Sequence, residues 1–137
     1  MPAKVNLRAS KVFHALCQES LRQLVSETQG VESACLVTGD GFEVTSVLTD
    51  GISASRLAAM TSSMQALGSA VTGELKMKQC RSVIVDGESG TVVMVRLPSE
   101  QEMMLAVTCG KQGTVGGVLV AARQHARWIS ERLSAVA

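Results

Sequence analysis

Apolar residues recur at steps of three and four positions in three segments of the chain, and this spacing predicts three amphipathic helices. The first runs from Ser10 to Gly30, a glycine that can end a helix in the left-handed conformation. The second runs from Ser53 to Lys76, and the third follows a glycine-rich segment and carries its apolar residues between Val118 and Leu133.

Five shorter apolar segments lie between these helices and are typical of β-strands. They span Val31–Thr38, 42–48, 80–86, 91–97 and 103–109. The reversal between the first two carries two glycines around an aspartate, and the later separators are short and rich in turn residues, which favours antiparallel neighbours. The predicted order is therefore α-β-β-α-β-β-β-α, an α+β fold with helices on both faces of one sheet.

The composition and charge of the chain exclude several classes of protein. The chain has 137 residues, of which 46% are hydrophobic and 18% are charged, so one domain over residues 10–137 is expected, preceded by an N-terminal extension over 1–9. Thirteen Lys and Arg balance twelve Asp and Glu, which argues against a nucleic-acid partner. No apolar run approaches the roughly 18 residues that cross a bilayer, so neither membrane insertion nor a secretory signal is expected.

The second predicted helix is the most informative segment, because its apolar positions form nearly a heptad pattern. These positions are Leu57, Met60, Met64, Leu67, Val71 and Leu75. The residues between them are mostly Ala and Ser, with Gly68 near the middle, and charge is absent between Arg56 and Glu74. Such a helix offers no charged face to water, so the pattern predicts two buried sides, one on the sheet and one against another helix. The alternative is a plain core helix of a monomer.

The glycine-rich segment before the last helix is a candidate anion-binding loop, because glycines ahead of a helix expose amide hydrogens. Its candidate residues are Gly110, Lys111, Gly113 and Gly116. The order does not match a P-loop, since the lysine precedes the later glycines. A flexible connection or a close-packed turn is the favoured alternative for this segment.

No constellation in the sequence favours catalysis or metal binding. His14 and His125 are isolated, the four cysteines are scattered without a C-x-x-C pair, and no G-x-S-x-G motif occurs. We therefore expect no enzyme, no metal and no cofactor, with the cysteines free in a reducing cytoplasm. The arginines of the last helix form either a weakly basic face for an acidic partner or a solvated exterior.

Several features, taken in their order along the sequence, resemble the roadblock family of dynein light-chain and GTPase-regulator domains. They are Gly30-Val31 with Ala34, the Gly39-Asp40-Gly41 turn, the long Ala/Met/Leu helix and the Gly116-Gly117-Val118-Leu119 entry to the last helix. The resemblance extends from about Lys11 to Leu133. It implies a five-stranded antiparallel sheet with the middle helix on one face and the terminal helices on the other.

The resemblance also implies a mode of assembly and a partner. Family members dimerise through the middle helix and the strand after it, which adds Val83 and Val85 to the predicted interface of Leu57, Met60, Met64, Leu67, Gly68 and Val71. Bacterial members act beside small Ras-like GTPases, and eukaryotic ones serve as dynein subunits or scaffolds. No catalytic residue is implied.

The leading hypothesis is therefore a cytoplasmic, non-enzymatic homodimer that binds a small Ras-like GTPase and modulates its nucleotide cycle. One alternative is a structural adaptor without effect on GTP turnover. Another is a small-ligand or anion sensor that uses the loop from Gly110 to Gly117.

Overall fold

The computed structural model describes residues 11–136, and three helices and five strands lie within them. The helices are α1 (Lys11–Glu27), α2 (Ala54–Glu74) and α3 (Val115–Val136). The strands are β1 (Val31–Thr38), β2 (Glu43–Val47), β3 (Ser82–Gly87), β4 (Gly90–Arg96) and β5 (Met103–Cys109). The predicted element order is confirmed, whereas the predicted extension over 1–9 lies outside the described residues.

The strands form one antiparallel sheet in the order β2-β1-β5-β4-β3. The last three strands form the predicted meander, and β1 inserts beside β5, so β1 and β5 are central. This position explains the continuous apolar run of β5, in which Met103 to Val107 are all buried. The strands β2 and β3 are the two edges of the sheet.

Two apolar clusters, one on each face, hold the helices to the sheet. The larger cluster joins α1 and α3 to the sheet, and its helical members include Phe13, Leu21, Ala122 and Ile129. The smaller cluster lies under α2 and includes Leu57 and Ala58. The structure thus confirms the predicted α+β fold with the middle helix on one face and the terminal helices on the other.

The helix α2 begins where the sequence predicts and ends two residues earlier. The Ser53 hydroxyl caps it by accepting a hydrogen bond from the Arg56 backbone N–H at 3.3 Å. After Glu74 the chain turns through Lys76 and Lys78, which both adopt positive φ, at 58° and 67°. This turn reverses the chain so that β3 can return beneath the helix.

The helix α3 begins at Val115, two residues before the end of the predicted loop. The Thr114 hydroxyl accepts a hydrogen bond from the Gly117 backbone N–H at 3.1 Å, and the Thr114 carbonyl accepts one from Val118 at 3.0 Å. This cap draws Gly116 and Gly117 into the first helical turn despite their low helix propensity. Within residues 11–136, no helix is both long and apolar enough to span a bilayer.

Candidate functional site

One side of α2 is covered by the sheet of its own chain. Leu57, Ala58, Thr61 and Gln65 are buried there. Gly68 also faces the sheet, because a Cβ on it would lie 2.7 Å from Cys80 Sγ and 3.0 Å from Val83 Cγ2. Two of the residues predicted for a dimer interface, Leu57 and Gly68, therefore pack inside the chain.

A second apolar side of α2 is uncovered. Met60, Leu67, Val71 and Leu75 are exposed by 56–62% of their surface, and Met64 is half-buried at the border with the covered side. The hydroxyl of Ser62 marks the opposite flank of the helix, where it donates to the Gly39 carbonyl at 2.7 Å beside the β1–β2 turn. The uncovered residues thus lie on the flank that faces β3.

The strand β3 forms the sheet edge next to this flank, and within residues 11–136 no strand pairs with its outer side. The Arg96 N–H donates to the Arg81 carbonyl at 3.0 Å, and hydrogen-bonded pairs alternate along an antiparallel ladder. The backbone groups of Ser82, Ile84 and Asp86 consequently point away from β4. An open edge of this kind is a template for a further strand.

The side chains of β3 alternate between the two faces of the sheet. Val83 is half-buried beneath α2, Val85 lies on the same face with 41% of its surface exposed, and Ile84 lies on the opposite face with 44% exposed. We call the uncovered side of α2 together with Val85 and the open edge of β3 the α2–β3 surface. Its helical members are Met60, Met64, Leu67 and Val71, and Leu75 adds to them at the C-cap of α2.

The structure brings most of the predicted interface residues onto one continuous surface. Sequence reasoning missed the open edge, because the position of β3 in the strand order is a long-range property. Ile84 was missed for the same reason. The signal available in the sequence was that the centre of this strand, Val83 to Val85, carries no charge.

The glycine-rich loop is a close-packed turn. Gly113 lies against Gly30, and a Cβ on Gly113 would lie 2.8 Å from the Gln29 carbonyl oxygen. The Gly113 N–H donates to the Gly110 carbonyl, and the carboxylate of Glu32 lies over Gly110. A carboxylate at this position disfavours an anion, although Lys111 and Gly116 are exposed.

Burial is the main cause of the shifted pKa values among the described residues. Burial raises the pKa of the Cys17 and Cys35 thiols to about 12, with Glu43 adding to the effect at Cys35. Burial lowers the pKa of His125, opposed by Glu27, and its Nδ1 lies 2.8 Å from the Ser20 hydroxyl. Within residues 11–136, no cluster of three or more His, Cys, Asp or Glu side chains is placed to hold a metal ion.

A shallow depression between α1 and α3 lies next to this histidine. It holds about 200 Å³ and is lined by Ser20, Gln23, Gln124, His125 and Trp128. The guanidinium of Arg132 lies 4.4 Å from the centre of the Trp128 ring, which covers part of its indole face. This arrangement packs the two helices together.

Comparison with solved structures identifies proteins that share this fold. The chain is similar to a Roadblock/LC7 domain from Streptomyces avermitilis, with 21% identity, a TM-score of 0.78 and coverage of 85% of this chain and 97% of that one. It is also similar to the gliding protein MglB from Thermus thermophilus, with 15% identity, a TM-score of 0.82 and coverage of 98% and 100%.

A structure described as MglB with tetrameric arrangement is similar at 17% identity, with a TM-score of 0.80 and coverage of 96% and 99%. At these identities the structural likeness shows the fold alone. Among curated proteins, none has a significantly similar sequence. The family model of the Roadblock/LC7 domain, however, matches residues 17–108, well over half of the sequence. The chain therefore belongs to the Roadblock/LC7 domain family.

Proposed function

We propose that the protein is a non-enzymatic homodimer that binds a small Ras-like GTPase and modulates its nucleotide cycle. The observation that carries the proposal is the α2–β3 surface, where an uncovered apolar helix flank adjoins an open strand edge. An exposed apolar flank and an open strand edge are each typical of an interaction site, and a second copy of the chain covers both at once.

The edge of β3 is complementary to itself in one antiparallel register. When Ile84 of each copy lies opposite the other across a two-fold axis, Val83 lies opposite Val85 of the second copy on the α2 face. On the other face, the Ser82 hydroxyl lies opposite the Asp86 carboxylate of the second copy, and it can donate a hydrogen bond there. Arg123 Nη2 lies 3.5 Å from the Ser82 hydroxyl, so it adds a positive charge beside that carboxylate.

The helix flank supplies a large part of the association energy. Three apolar side chains of α2 and that of its C-cap Leu75 are more than half exposed in each copy, and covering the exposed part of each contributes about 1 kcal/mol. The eight side chains of a dimer therefore supply roughly 8 kcal/mol, which is of the same order as the cost of association. Strand pairing at β3 is needed to give a stable dimer, so both parts of the surface act together.

The GTPase partner is supported by membership of the Roadblock/LC7 family, for which the resemblance implies action beside Ras-like GTPases. A dimer without catalytic groups of its own changes GTP hydrolysis by positioning the switch segments of its partner, which carries its own Mg²⁺ and water. We place this activity in the cytoplasm, where buried thiols such as Cys17 and Cys35 stay reduced.

Two measurements test the proposal. Sedimentation of the wild-type protein at micromolar concentration is expected to give the mass of two chains, and a single-chain mass would overturn the homodimer. GTP turnover by a Ras-like GTPase from the same genome is then measured with and without the protein. Binding with altered turnover supports the regulator, whereas binding with unchanged turnover would contradict it and favour the structural adaptor.

A further inference from the structure

The face of β3 opposite α2 is also uncovered. The helix α3 lies over β4 and β5 and only borders β3, where Arg123 reaches the Ser82 hydroxyl. Ile84 on β3 and Val120 on α3 are exposed by 44% and 57%, and Leu119, next to Val120 in α3, is half-buried against the core of this face. Ile84, Leu119, Val120, Arg123 and Arg127 thus form an apolar corner with a basic rim, which we call the α3–β3 corner.

In the proposed homodimer, on which this inference rests, two such corners meet across the two-fold axis. The paired β3 strands form the floor of a trough, and the two α3 helices form its walls. Each α3 lies about two strand spacings from the axis, so the helix axes are roughly 19 Å apart, at about 4.8 Å per strand. Packed helices lie about 8–10 Å apart, so the trough has the width of one additional helix.

The rim of the trough is positively charged. Among the described residues, neither Arg123 nor Arg127 has a carboxylate within ion-pair distance. The nearest acid on the floor, Asp86, accepts a hydrogen bond from the Thr91 hydroxyl at 3.2 Å and lies opposite Ser82 of the second copy, where it faces Arg123. Arg127 stands one turn beyond Arg123 on the wall and has no such acid on the floor. Glu131, one turn further along α3, pairs with Arg132 at 3.5 Å, so both copies together present a net positive trough.

We propose that this trough binds one α-helix of a partner protein, a helix with an apolar face and acidic residues on its flanks. The apolar face covers the two Ile84 and two Val120 side chains, and the flanking carboxylates meet Arg127 on each wall. The N-terminal segment of the chain itself is a poor occupant, because Lys4 and Arg8 make it basic. A lipid bilayer does not follow a concave floor between two helices.

The test uses two synthetic helical peptides of about 18 residues, long enough to span the roughly 20 Å of β3. Both carry the same leucine face, and their flanks are glutamate in one and lysine in the other. Fluorescence anisotropy measures their binding to the wild-type protein and to the Val120→Glu, Arg127→Glu and Ser26→Glu variants. Ser26 is an exposed residue of α1, outside the corner, so its variant is the matched control for an added carboxylate.

We expect the glutamate peptide to bind more tightly than the lysine peptide. Val120→Glu and Arg127→Glu each weaken binding of the glutamate peptide at least about tenfold, because they place like charge on the rim, whereas Ser26→Glu leaves it unchanged. Equal binding of the two peptides, or an unchanged affinity in both corner variants, would overturn the inference.

Two further measurements distinguish this inference from membrane binding and from failure of the homodimer itself. Co-sedimentation with phosphatidylserine vesicles is expected to show no binding, and vesicle binding that Arg127→Glu abolishes would overturn the helix in favour of a membrane surface. Light scattering on the same samples gives the mass. A single-chain mass means that the homodimer itself has failed, whereas a two-chain mass without binding of the glutamate peptide rejects the trough alone.

Discussion

The contact between Gly68 of α2 and the start of β3 gives a sharp steric prediction. A Cβ added to Gly68 would lie 2.7 Å from Cys80 Sγ and 3.0 Å from Val83 Cγ2, both within the same chain. A Cβ added to Gly73, further along the same helix, would meet no atom within 4 Å. Gly68→Ala and Gly73→Ala are therefore the same chemical change in crowded and open surroundings.

The two changes should differ in sign. Alanine in place of glycine inside a helix stabilises by up to about 1 kcal/mol, and Gly73→Ala should raise the free energy of unfolding by up to that amount. At Gly68 the same gain is opposed by overpacking, which typically costs about 1–3 kcal/mol. The expected result for Gly68→Ala is a net loss of up to roughly 2 kcal/mol.

Urea denaturation at one protein concentration measures both variants, and a fixed concentration keeps any dimer contribution constant. Adding Cys80→Ala to Gly68→Ala removes the closest atom and should recover part of the loss, so that the double variant is more stable than the sum of the single changes. If Gly68→Ala stabilised the protein as much as Gly73→Ala does, the close approach of α2 to β3 would be refuted.

Three further predictions concern buried groups and the glycine-rich turn. Burial raises the pKa of Cys17 and Cys35 from 9.0 to about 12, so these thiols should not affect the free energy of unfolding below pH 9. The free energy of unfolding should then fall as pH rises from 9 towards 12, because the thiols ionise in the unfolded chain first. Urea titrations across that range would show it. Burial lowers the pKa of His125, so its contribution to stability is lost as pH falls below 6.5, and His125→Gln should flatten that dependence in the same titrations. Gly113→Ala should destabilise the fold, since its Cβ would meet the Gln29 carbonyl. Lys111 is exposed, so Lys111→Ala should change the free energy of unfolding measured by calorimetry by less than about 0.5 kcal/mol. Equal effects of the two changes would contradict the close-packed turn.

The element order could be predicted because local signals agree with the tertiary structure along most of the chain. The glycines at 39 and 41 mark the β1–β2 reversal, and Gly41 indeed adopts a φ of +92°. The continuous apolar runs of β4 and β5 agree with their place inside the sheet, since residues with helices on both sides need no polar alternation. Apolar periodicity placed the start of α2 at Ser53, and the structure shows this serine at the N-cap.

The site could be predicted only in part, because periodicity gives relative angles around a helix and not the direction of the core. The apolar residues of α2 occupy two neighbouring arcs, and Leu57 and Gly68 belong to the arc that faces the sheet, whereas Leu67 and Val71 belong to the uncovered one. The sequence contains no local signal that separates them. Nor does it show that β3 ends the sheet, which depends on β1 pairing with β5.

The most direct test of the account is the mass of Leu67→Asp in solution, measured by light scattering beside Ala66→Asp. Leu67 is 62% exposed in the single chain, so the change leaves the fold intact, but in the proposed dimer it puts two carboxylates into an apolar contact. A loss of about 1.5 kcal/mol or more at each raises the dissociation constant over a hundredfold. Ala66 is exposed on the side of α2 away from that contact.

We predict that Leu67→Asp has the mass of one chain at micromolar concentration, while Ala66→Asp and the wild-type protein have the mass of two. If Leu67→Asp kept the two-chain mass of the wild-type protein, the α2–β3 surface would not be the contact between copies.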